Sequence, residues 1–179
     1  MILKELLTGL EVLQLIGDTN IEVTGIQSDS RRVTSGNVFV AQVGTTVDGH
    51  VFIPQCIEKG AAAIVMDQAD HMPTQSNGVT YILVKSSDEA LGKMAHLWYG
   101  EPSKHLQLVG VTGTNGKTTT ATLLYRLFKT LGEKVGLLST VINYVDDKAV
   151  ASTHTTPDAL SLNALLAQMV AAGCSYAFM

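Results

Sequence analysis

The sequence contains few of the residues that mark disulfide-bonded, metal-rich or nucleic-acid-binding proteins. Its 179 residues include two cysteines, Cys56 and Cys174, which stand far apart and form no paired motif. We therefore expect reduced core thiols in a cytoplasmic protein. The formal net charge of −4 provides no basic field for a nucleic-acid partner. His71, His96 and His105 show no metal-ligand spacing, which predicts no zinc site.

Long apolar runs are also absent. No run is long enough to cross a membrane, and we predict no membrane insertion. Lys4, Glu5 and Glu11 interrupt the apolar residues near the N-terminus, so we expect no signal peptide. With 46% hydrophobic and 16% charged residues, the composition is that of a globular protein with one or two domains. We expect it to be a monomer.

The most informative stretch is a glycine-rich turn between an apolar run and a helical pattern, at residues 106–120. Glycines allow the backbone N–H groups of such a turn to point at an anion, and the helix N-terminus adds unpaired donors. Lys117 is placed to reach the β- and γ-phosphates of a nucleotide, and the Thr118 hydroxyl is placed to ligate Mg²⁺. The sequence therefore predicts a phosphate-binding loop for a nucleoside triphosphate and Mg²⁺.

This loop departs from the common pattern G-x-x-x-x-G-K-[ST] at one position. The pattern requires glycine at position 111, and this chain has Val111. The Gly-Lys-Thr core at 116–118 therefore carries the prediction, together with the strand–loop–helix context. The alternative is a strand–helix turn with an incidental lysine.

The first hundred residues mix helical and extended patterns. Leucines at helical spacing predict a helix over residues 2–16. Apolar runs predict strands over 21–26, 38–41, 61–66 and 79–84. Further helices are predicted over 51–59 and after Ser86, which forms a capping-box pair with Glu89.

After a short polar segment the pattern changes to strand–helix alternation. Strands are predicted over 106–111 and 135–141, with a helix over 117–131 whose leucines at 123, 124, 127 and 131 share a face. A hairpin is predicted to turn at Asp146-Asp147. The fold class is therefore α/β, with a small mixed α/β domain at 1–100, a linker at 101–105 and the start of a parallel-sheet P-loop ATPase domain at 106–179.

Thr156-Pro157-Asp158 has the residue types of a helix N-terminus, with Thr156 as the predicted N-cap. The helix is predicted to continue to Gly173, and residues 175–179 form the last strand. This strand is either a sheet edge at a natural C-terminus or the point at which a longer ATPase domain is truncated. We favour truncation, because both faces of a parallel sheet are normally covered by helices.

The loop at 111–120 resembles the ATP loop of the Mur ligases, the ATP-dependent amide-forming enzymes of peptidoglycan synthesis. By itself this loop is also similar to that of folylpolyglutamate synthetase. Several segments of the first domain resemble the uridine-nucleotide-binding domain of two Mur ligases. These segments are residues 28–31, 36–41, 44, 48–50 and 52–53.

The two family members differ in the step they perform. One adds the third amino acid to UDP-N-acetylmuramoyl-L-alanyl-D-glutamate, and the other adds the terminal dipeptide D-Ala-D-Ala. The segment His154-Thr155-Thr156-Pro157 is typical of the first. The resemblance implies a ligase that makes an acyl phosphate with ATP, which the incoming amine of meso-diaminopimelate or L-lysine then displaces.

The resemblance also implies residue roles. ATP would be bound by the loop residues Gly113, Thr114, Asn115, Gly116, Lys117, Thr118 and Thr119, with Lys117 catalytic and Thr118 the Mg²⁺ ligand. The UDP-linked substrate would be bound by Ser28, Ser30, Thr45, Thr46, Val47, His154, Thr155 and Thr156. The family continues beyond this chain with further catalytic groups, so the chain alone is expected to be inactive.

Several of these residues have a structural alternative. Ser28 and Ser30 could be turn residues, and Thr156 could serve only as an N-cap. Arg31 and Arg32 could pair with a diphosphate, remain solvated or bridge to Asp29. His50 is expected to fix its loop. A non-catalytic nucleotide-binding module is the alternative of a different functional class.

Overall fold

The chain divides between Trp98 and Tyr99 into a first unit, Met1–Trp98, and a second unit, Tyr99–Met179. The computed structural model describes residues 1–44, 47–151 and 158–179. Each unit packs helices against a mixed five-stranded sheet, which confirms the predicted α/β class. Among the described helices, none has both the length and the apolar content to cross a membrane.

The first sheet has the strand order β1-β5-β4-β3-β2. Its strands are β1 Val12–Ile16, β2 Gly25–Gln27, β3 Asn37–Val40, β4 Ala63–Met66 and β5 Thr80–Val84. Strands β2 to β5 run parallel, and β1 is antiparallel to β5. The helices are α1 Leu3–Leu6, α2 Ile53–Glu58 and α3 Ser87–Trp98. Short 3-10 turns lie at Ser30–Arg32, Gly49–Phe52 and Ala69–His71.

The predicted helix over residues 2–16 is wrong beyond its first turn. Leu3 and Leu6 are buried on α1, but Val12–Ile16 form the edge strand β1, in which Leu13 and Leu15 are 58% and 40% exposed. The backbone of β1 gains a ladder of hydrogen bonds to β5, and this pairing outweighs the helical spacing of the leucines. The strand predicted over 21–26 is also shorter, because only Gly25–Gln27 pair with β3.

The core of the first unit surrounds its three central strands. Every residue of β3, β4 and β5 is buried, as expected for parallel strands covered on both faces. Phe39, Ile64 and Met66 pack with Ile53 and Cys56 of α2. The segment after β3 carries the predicted residue Val47, and the segment after β2 carries Ser28 and Ser30.

The second sheet has the order β6-β10-β7-β8-β9. Its strands are β6 Gln107–Val109, β7 Val135–Leu137, β8 Ile142–Val145, β9 Lys148–Ala151 and β10 Tyr176–Phe178. Strands β6, β10 and β7 are parallel, whereas β8 and β9 form the predicted hairpin, which is antiparallel. Strand β10 therefore lies between two others and is not a sheet edge.

Two helices, α4 Lys117–Thr130 and α5 Ala159–Ala171, cover opposite faces of this sheet. On β10, Phe178 points to α4, where it meets Phe128, while Ala177 belongs to the cluster around α5. The predicted apolar face of α4 is wrong for three of its four leucines. Leu123, Leu127 and Leu131 are exposed, because the aromatic partners on the sheet favour the neighbouring stripe that contains Tyr125 and Phe128.

Helix α5 begins later than predicted. Its N-cap is Asp158, whose carboxylate accepts a hydrogen bond from the Ser161 backbone N–H at 2.8 Å. The predicted cap, Thr156, lies outside the described residues. A carboxylate cap pairs with the positive end of the helix dipole as well as with a free N–H, which favours Asp158 in this role.

Candidate nucleotide-binding sites

The loop between β6 and α4 has the backbone geometry of an anion cradle. Gly113 and Gly116 have φ values of +148° and +81°, which favour glycine. Gly116 is the N-cap of α4, and no side chain caps the helix there. Gly116 has no side chain, so it offers no acceptor to the first backbone N–H groups of α4, and residues 112–117 are exposed. This arrangement suits a phosphate group at the helix N-terminus.

Lys117 folds back over the same loop. Its ammonium group donates hydrogen bonds to the backbone carbonyls of Gly113 and Thr114. These carbonyls hold the lysine beside the free N–H groups, at the position where a polyphosphate would need a compensating cation. Thr119 is exposed one residue beyond Thr118, whose side chain is half-buried at the start of the helix.

The donor set around Thr118 fits Mg²⁺ held mainly by a nucleotide. In the part of the chain that the structure describes, no group of three or more histidine, cysteine or carboxylate side chains could hold a metal. Mg²⁺ commonly keeps several waters and takes few protein ligands in addition to substrate phosphates. One threonine hydroxyl beside the phosphate cradle is compatible with that coordination.

A second candidate site is an open cavity of about 520 Å³ in the first unit. Its walls come from residues 28–31, from Gln42, Gly44, Val47 and Gly49, and from the N-terminal part of α2, where the N-cap Phe52 and Gln55 contribute. The first two of these segments follow parallel strands, β2 and β3, at their carboxyl ends. This is the edge of an α/β sheet at which ligands usually bind.

Three of the predicted substrate residues line this cavity: Ser28, Ser30 and Val47. Thr45 and Thr46, and likewise His154, Thr155 and Thr156, lie outside the described residues. Gln42, Phe52 and Gln55 were not predicted, although they line the cavity. Gln42 lies two residues beyond the buried strand β3, so the rule that ligands bind at the carboxyl edge of parallel strands could have identified it.

The loop at 28–31 is held by its own charges. Arg31 Nη2 lies 2.8 Å from Asp29 Oδ2, and the Asp29 carboxylate also accepts a hydrogen bond from the Arg31 backbone N–H. These contacts hold the pKa of Asp29 at about 2, below its ordinary value of 3.8. Of the alternatives for Arg31, the structure therefore has the bridge to Asp29, while most of the guanidinium remains exposed.

A buried histidine fixes the position of Asp48, in the segment that follows Gly44. His50 Nδ1 lies 2.6 Å from Asp48 Oδ1, and His50 itself has no exposed surface. The backbone and ring N–H groups of His50, followed by the Gln68 side chain, lower the pKa of Asp48 to about 2. The expectation that His50 fixes its loop agrees with these contacts.

A smaller cavity of about 260 Å³ lies in the second unit beside Thr118. Thr122 and Arg126 extend it along α4, and Ser139 lies at its other side after β7. Tyr125 and Tyr144 stack at its floor, with ring centroids 5.3 Å apart. No motif in the sequence indicated this cavity, because its lining combines a helix face with a hairpin.

Two family models match the chain. Residues 22–99 match the model described as Mur ligase family, catalytic domain, and residues 111–179 match the Mur ligase middle domain. Curated relatives named UDP-N-acetylmuramoyl-L-alanyl-D-glutamate--2,6-diaminopimelate ligase include those of Parabacteroides distasonis, 57% identical, and Bacteroides fragilis, 53% identical. Each alignment covers 99% of this chain but only 36% of the relative.

Solved structures of similar fold come from proteins with related names. One is a UDP-N-acetylmuramoyl-L-alanyl-D-glutamate--2,6-diaminopimelate ligase, with a TM-score of 0.75 and 22% identity over 99% of this chain and 35% of that one. Another is the MurF ligase of Thermotoga maritima in complex with ADP. It has a TM-score of 0.51 and 29% identity, over 80% of this chain and 29% of that one.

Proposed function

We propose, from the premise that this chain belongs to the Mur ligase family, that it is the substrate- and ATP-binding part of a ligase of peptidoglycan precursor synthesis. The parent enzyme would join 2,6-diaminopimelate to UDP-N-acetylmuramoyl-L-alanyl-D-glutamate. The observation that carries the proposal is a 57% identity that runs through both units and through nearly the whole chain. The chain spans about a third of the length of such relatives.

The first unit would hold the UDP end of the substrate in the 520 Å³ cavity. Ser28, Ser30 and Val47 line it and offer two hydroxyls and a small apolar contact. The exposed Arg31 guanidinium lies on the same wall and could attract a diphosphate while it remains paired with Asp29. Thr45 and Thr46 would complete this site.

The second unit would hold ATP at residues 113–119. The free N–H groups at the start of α4 and the Lys117 ammonium would neutralise the phosphates, and Thr118 would hold Mg²⁺. ATP supplies the phosphoryl group that activates the substrate carboxylate. The protein contributes position and positive charge, which are the main sources of catalysis in phosphoryl transfer.

On nucleotide arrival Lys117 would exchange two backbone carbonyls for phosphate oxygens. The carbonyls already hold its ammonium within the loop, so little reorganisation is needed. His154, Thr155 and Thr156 would contact the peptide end of the substrate. We further propose that the protein is a cytoplasmic monomer.

Of the two candidate amino acids, we favour 2,6-diaminopimelate over L-lysine, because the similar curated relatives are named for that substrate. The ligase that adds D-Ala-D-Ala is the alternative. Phosphate release by the full-length parent enzyme would test the choice, with UDP-N-acetylmuramoyl-L-alanyl-D-glutamate, ATP and each amine in turn. We expect turnover with meso-diaminopimelate. Turnover with D-Ala-D-Ala on the corresponding tripeptide substrate, and none with a diamino acid, would refute the assignment.

The 179-residue chain by itself should form no amide bond. It corresponds to about a third of the relatives' length, and the family resemblance implies that the reaction would also need catalytic groups from the remainder. A module that only binds nucleotides is therefore a fair description of this chain alone. ADP release that depends on both the UDP-linked dipeptide and an amine would contradict this expectation.

A further inference from the structure

His50 is a buried histidine with a carboxylate at each ring nitrogen. Its Nδ1 lies 2.6 Å from Asp48 Oδ1, and its Nε2 accepts a hydrogen bond from the Asp67 backbone N–H at 3.4 Å and lies 3.3 Å from Asp67 Oδ1. An ionised carboxylate only accepts hydrogen bonds. Nδ1 must therefore carry the hydrogen and donate the bond to Asp48. The side chain has no exposed surface, so these contacts are shielded from water.

Hydrogen bonds to the two carboxylates, Asp48 and Asp67, connect His50 to three elements of the first unit. Asp48 precedes the turn at Gly49–Phe52 and also accepts a hydrogen bond from Gln68 Nε2 at 3.0 Å. Asp67 directly follows β4 and accepts one from the Ser87 backbone N–H, at the start of α3, at 3.0 Å. His50 thus joins the turn to the end of a buried strand and to a helix N-terminus.

The turn that His50 holds is also a wall of the 520 Å³ cavity. Val47 and Gly49 flank Asp48 and both line the cavity, whereas Asp48 and His50 do not. The Gly49 N–H donates to the Gln42 carbonyl at 2.8 Å, and the Gly44 N–H donates to the Val47 carbonyl at 3.1 Å. A Cβ on Gly49 would lie 2.7 Å from the Gln42 oxygen, so the wall is packed closely against the end of β3.

We propose that His50 is a positioning residue for the uridine-nucleotide site. Through the Nδ1–H bond to Asp48 it sets the position of Val47 and Gly49, and thereby the affinity for a uridine diphosphate group. His50 does not line the cavity, so it acts through Asp48 and makes no contact with the ligand. This inference rests on the proposed function for the choice of ligand, but the position of the wall is measurable without any ligand.

Two amide substitutions test whether His50 positions the cavity wall or only fills space in the core. In His50→Asn the side-chain nitrogen can take the place of Nδ1 and keep the donor to Asp48. In His50→Gln the longer side chain carries its nitrogen toward Nε2, so the donor to Asp48 is lost. Both amides are uncharged and similar in polarity. His71→Ala is the control, because His71 stacks on His50 with ring centroids 5.2 Å apart and is exposed.

The test uses the 179-residue chain and two readouts. Isothermal titration calorimetry measures the Kd for UDP, and amide hydrogen exchange of the free protein reports the Gly44 and Gly49 N–H groups. We expect His50→Gln to weaken UDP binding and exchange protection by about tenfold, which corresponds to about 1.4 kcal/mol. His50→Asn should stay within about threefold of wild type, and His71→Ala should be unchanged. ATP binding should be unchanged throughout.

Equal values for wild type and both amide variants would overturn the inference. Equal losses for Asn and Gln, in step with equal losses of Tm, would also overturn it, because that pattern indicates only a buried core residue. Should wild type bind no UDP, the proposed function fails, and the exchange of Gly44 and Gly49 still decides the inference. If neither amide variant folds, Gln68→Ala removes the other side-chain donor to Asp48. We expect about threefold faster exchange at Gly49, and unchanged exchange would overturn the inference.

Discussion

The Lys59 ammonium donates a hydrogen bond to the backbone carbonyl of Ser30 across 2.7 Å. It makes a second, longer bond to the carbonyl of Arg31 at 3.3 Å. Lys59 directly follows α2, whereas Ser30 lies on the opposite loop of the first-unit cavity. The lysine therefore holds the 28–31 wall, as His50 holds the 47–49 wall.

Lys59→Met should loosen the 28–31 wall and weaken UDP binding. The methionine keeps the apolar part of the side chain but removes both hydrogen bonds to the carbonyls. Loss of a charged hydrogen bond corresponds to about 1.5–3 kcal/mol at most, so we expect a Kd several-fold to tenfold higher. Titration calorimetry measures the change. Lys85→Met is the matched control, because Lys85 is 71% exposed and pairs with Glu11, away from the cavity lining. An equal effect of both substitutions would contradict this role.

Lys117→Met should abolish most ATP binding and leave UDP binding intact. The ammonium is the cation nearest the phosphate cradle, and removing it should raise the Kd for ATP by about tenfold to a hundredfold. Fluorescence titration with a labelled ATP analogue and calorimetry with UDP measure the two affinities. Lys148→Met, an exposed lysine of β9, is the control. Equal loss of both ligands would mean that they do not occupy separate units.

The Asp29–Arg31 pair should make the first unit sensitive to acid. The pKa of Asp29 is about 2 in the folded protein, against 3.8 for the free group, because Arg31 favours the carboxylate. A lowered pKa means that the stabilisation is complete above about pH 4 and is lost as the pH falls toward 2. Thermal unfolding of wild type and Asp29→Asn should show a Tm difference at pH 7 that narrows below pH 4. A Tm difference between the two proteins that does not change with pH would contradict this prediction.

Gly136→Ala should destabilise the second unit. A Cβ at this position in β7 would lie 2.2 Å from Met169 Sδ, and Met169 is fully buried on α5. Overpacking of this kind typically lowers the free energy of unfolding by about 1–3 kcal/mol. Gly110→Ala is the control, since among the described residues that are not its chain neighbours no atom lies within 4 Å of its Cβ position. Urea unfolding measures both. Equal stability of the two variants would show that α5 does not pack against β7 this closely.

The sequence predicted the features that depend on local chemistry. Gly116 and Lys117 stand where the backbone turns from strand to helix, and that turn requires glycine. Strands β3, β4 and β5 were predicted because continuous apolar runs specify burial on both faces. The free, buried state of Cys56 and Cys174 likewise agrees with their apolar neighbours.

The errors came from contacts between distant residues. Leu13 fits a helix by its spacing from Leu6 and Leu10, but its segment pairs with the edge of β5 as a strand. Leu123 is exposed and Phe128 is packed, although they lie on adjacent stripes of α4. The aromatic residues of β10 determine which stripe faces the sheet. Gln42 and Gln55 line one cavity although thirteen positions separate them. The position of Gln42 after a buried strand could have indicated it, whereas no local motif indicates Gln55.

Separate sites for a uridine nucleotide and for ATP are the central claim, and amide NMR spectra of the 179-residue chain test it most directly. Addition of UDP should shift the amide signals of Ser28, Asp29, Gln42, Val47 and Gly49 and leave residues 113–119 unchanged. Addition of ATP with Mg²⁺ should shift residues 113–119 and leave the first set unchanged. UDP-induced shifts confined to residues 113–119, or no UDP-induced shifts at all, would contradict the account.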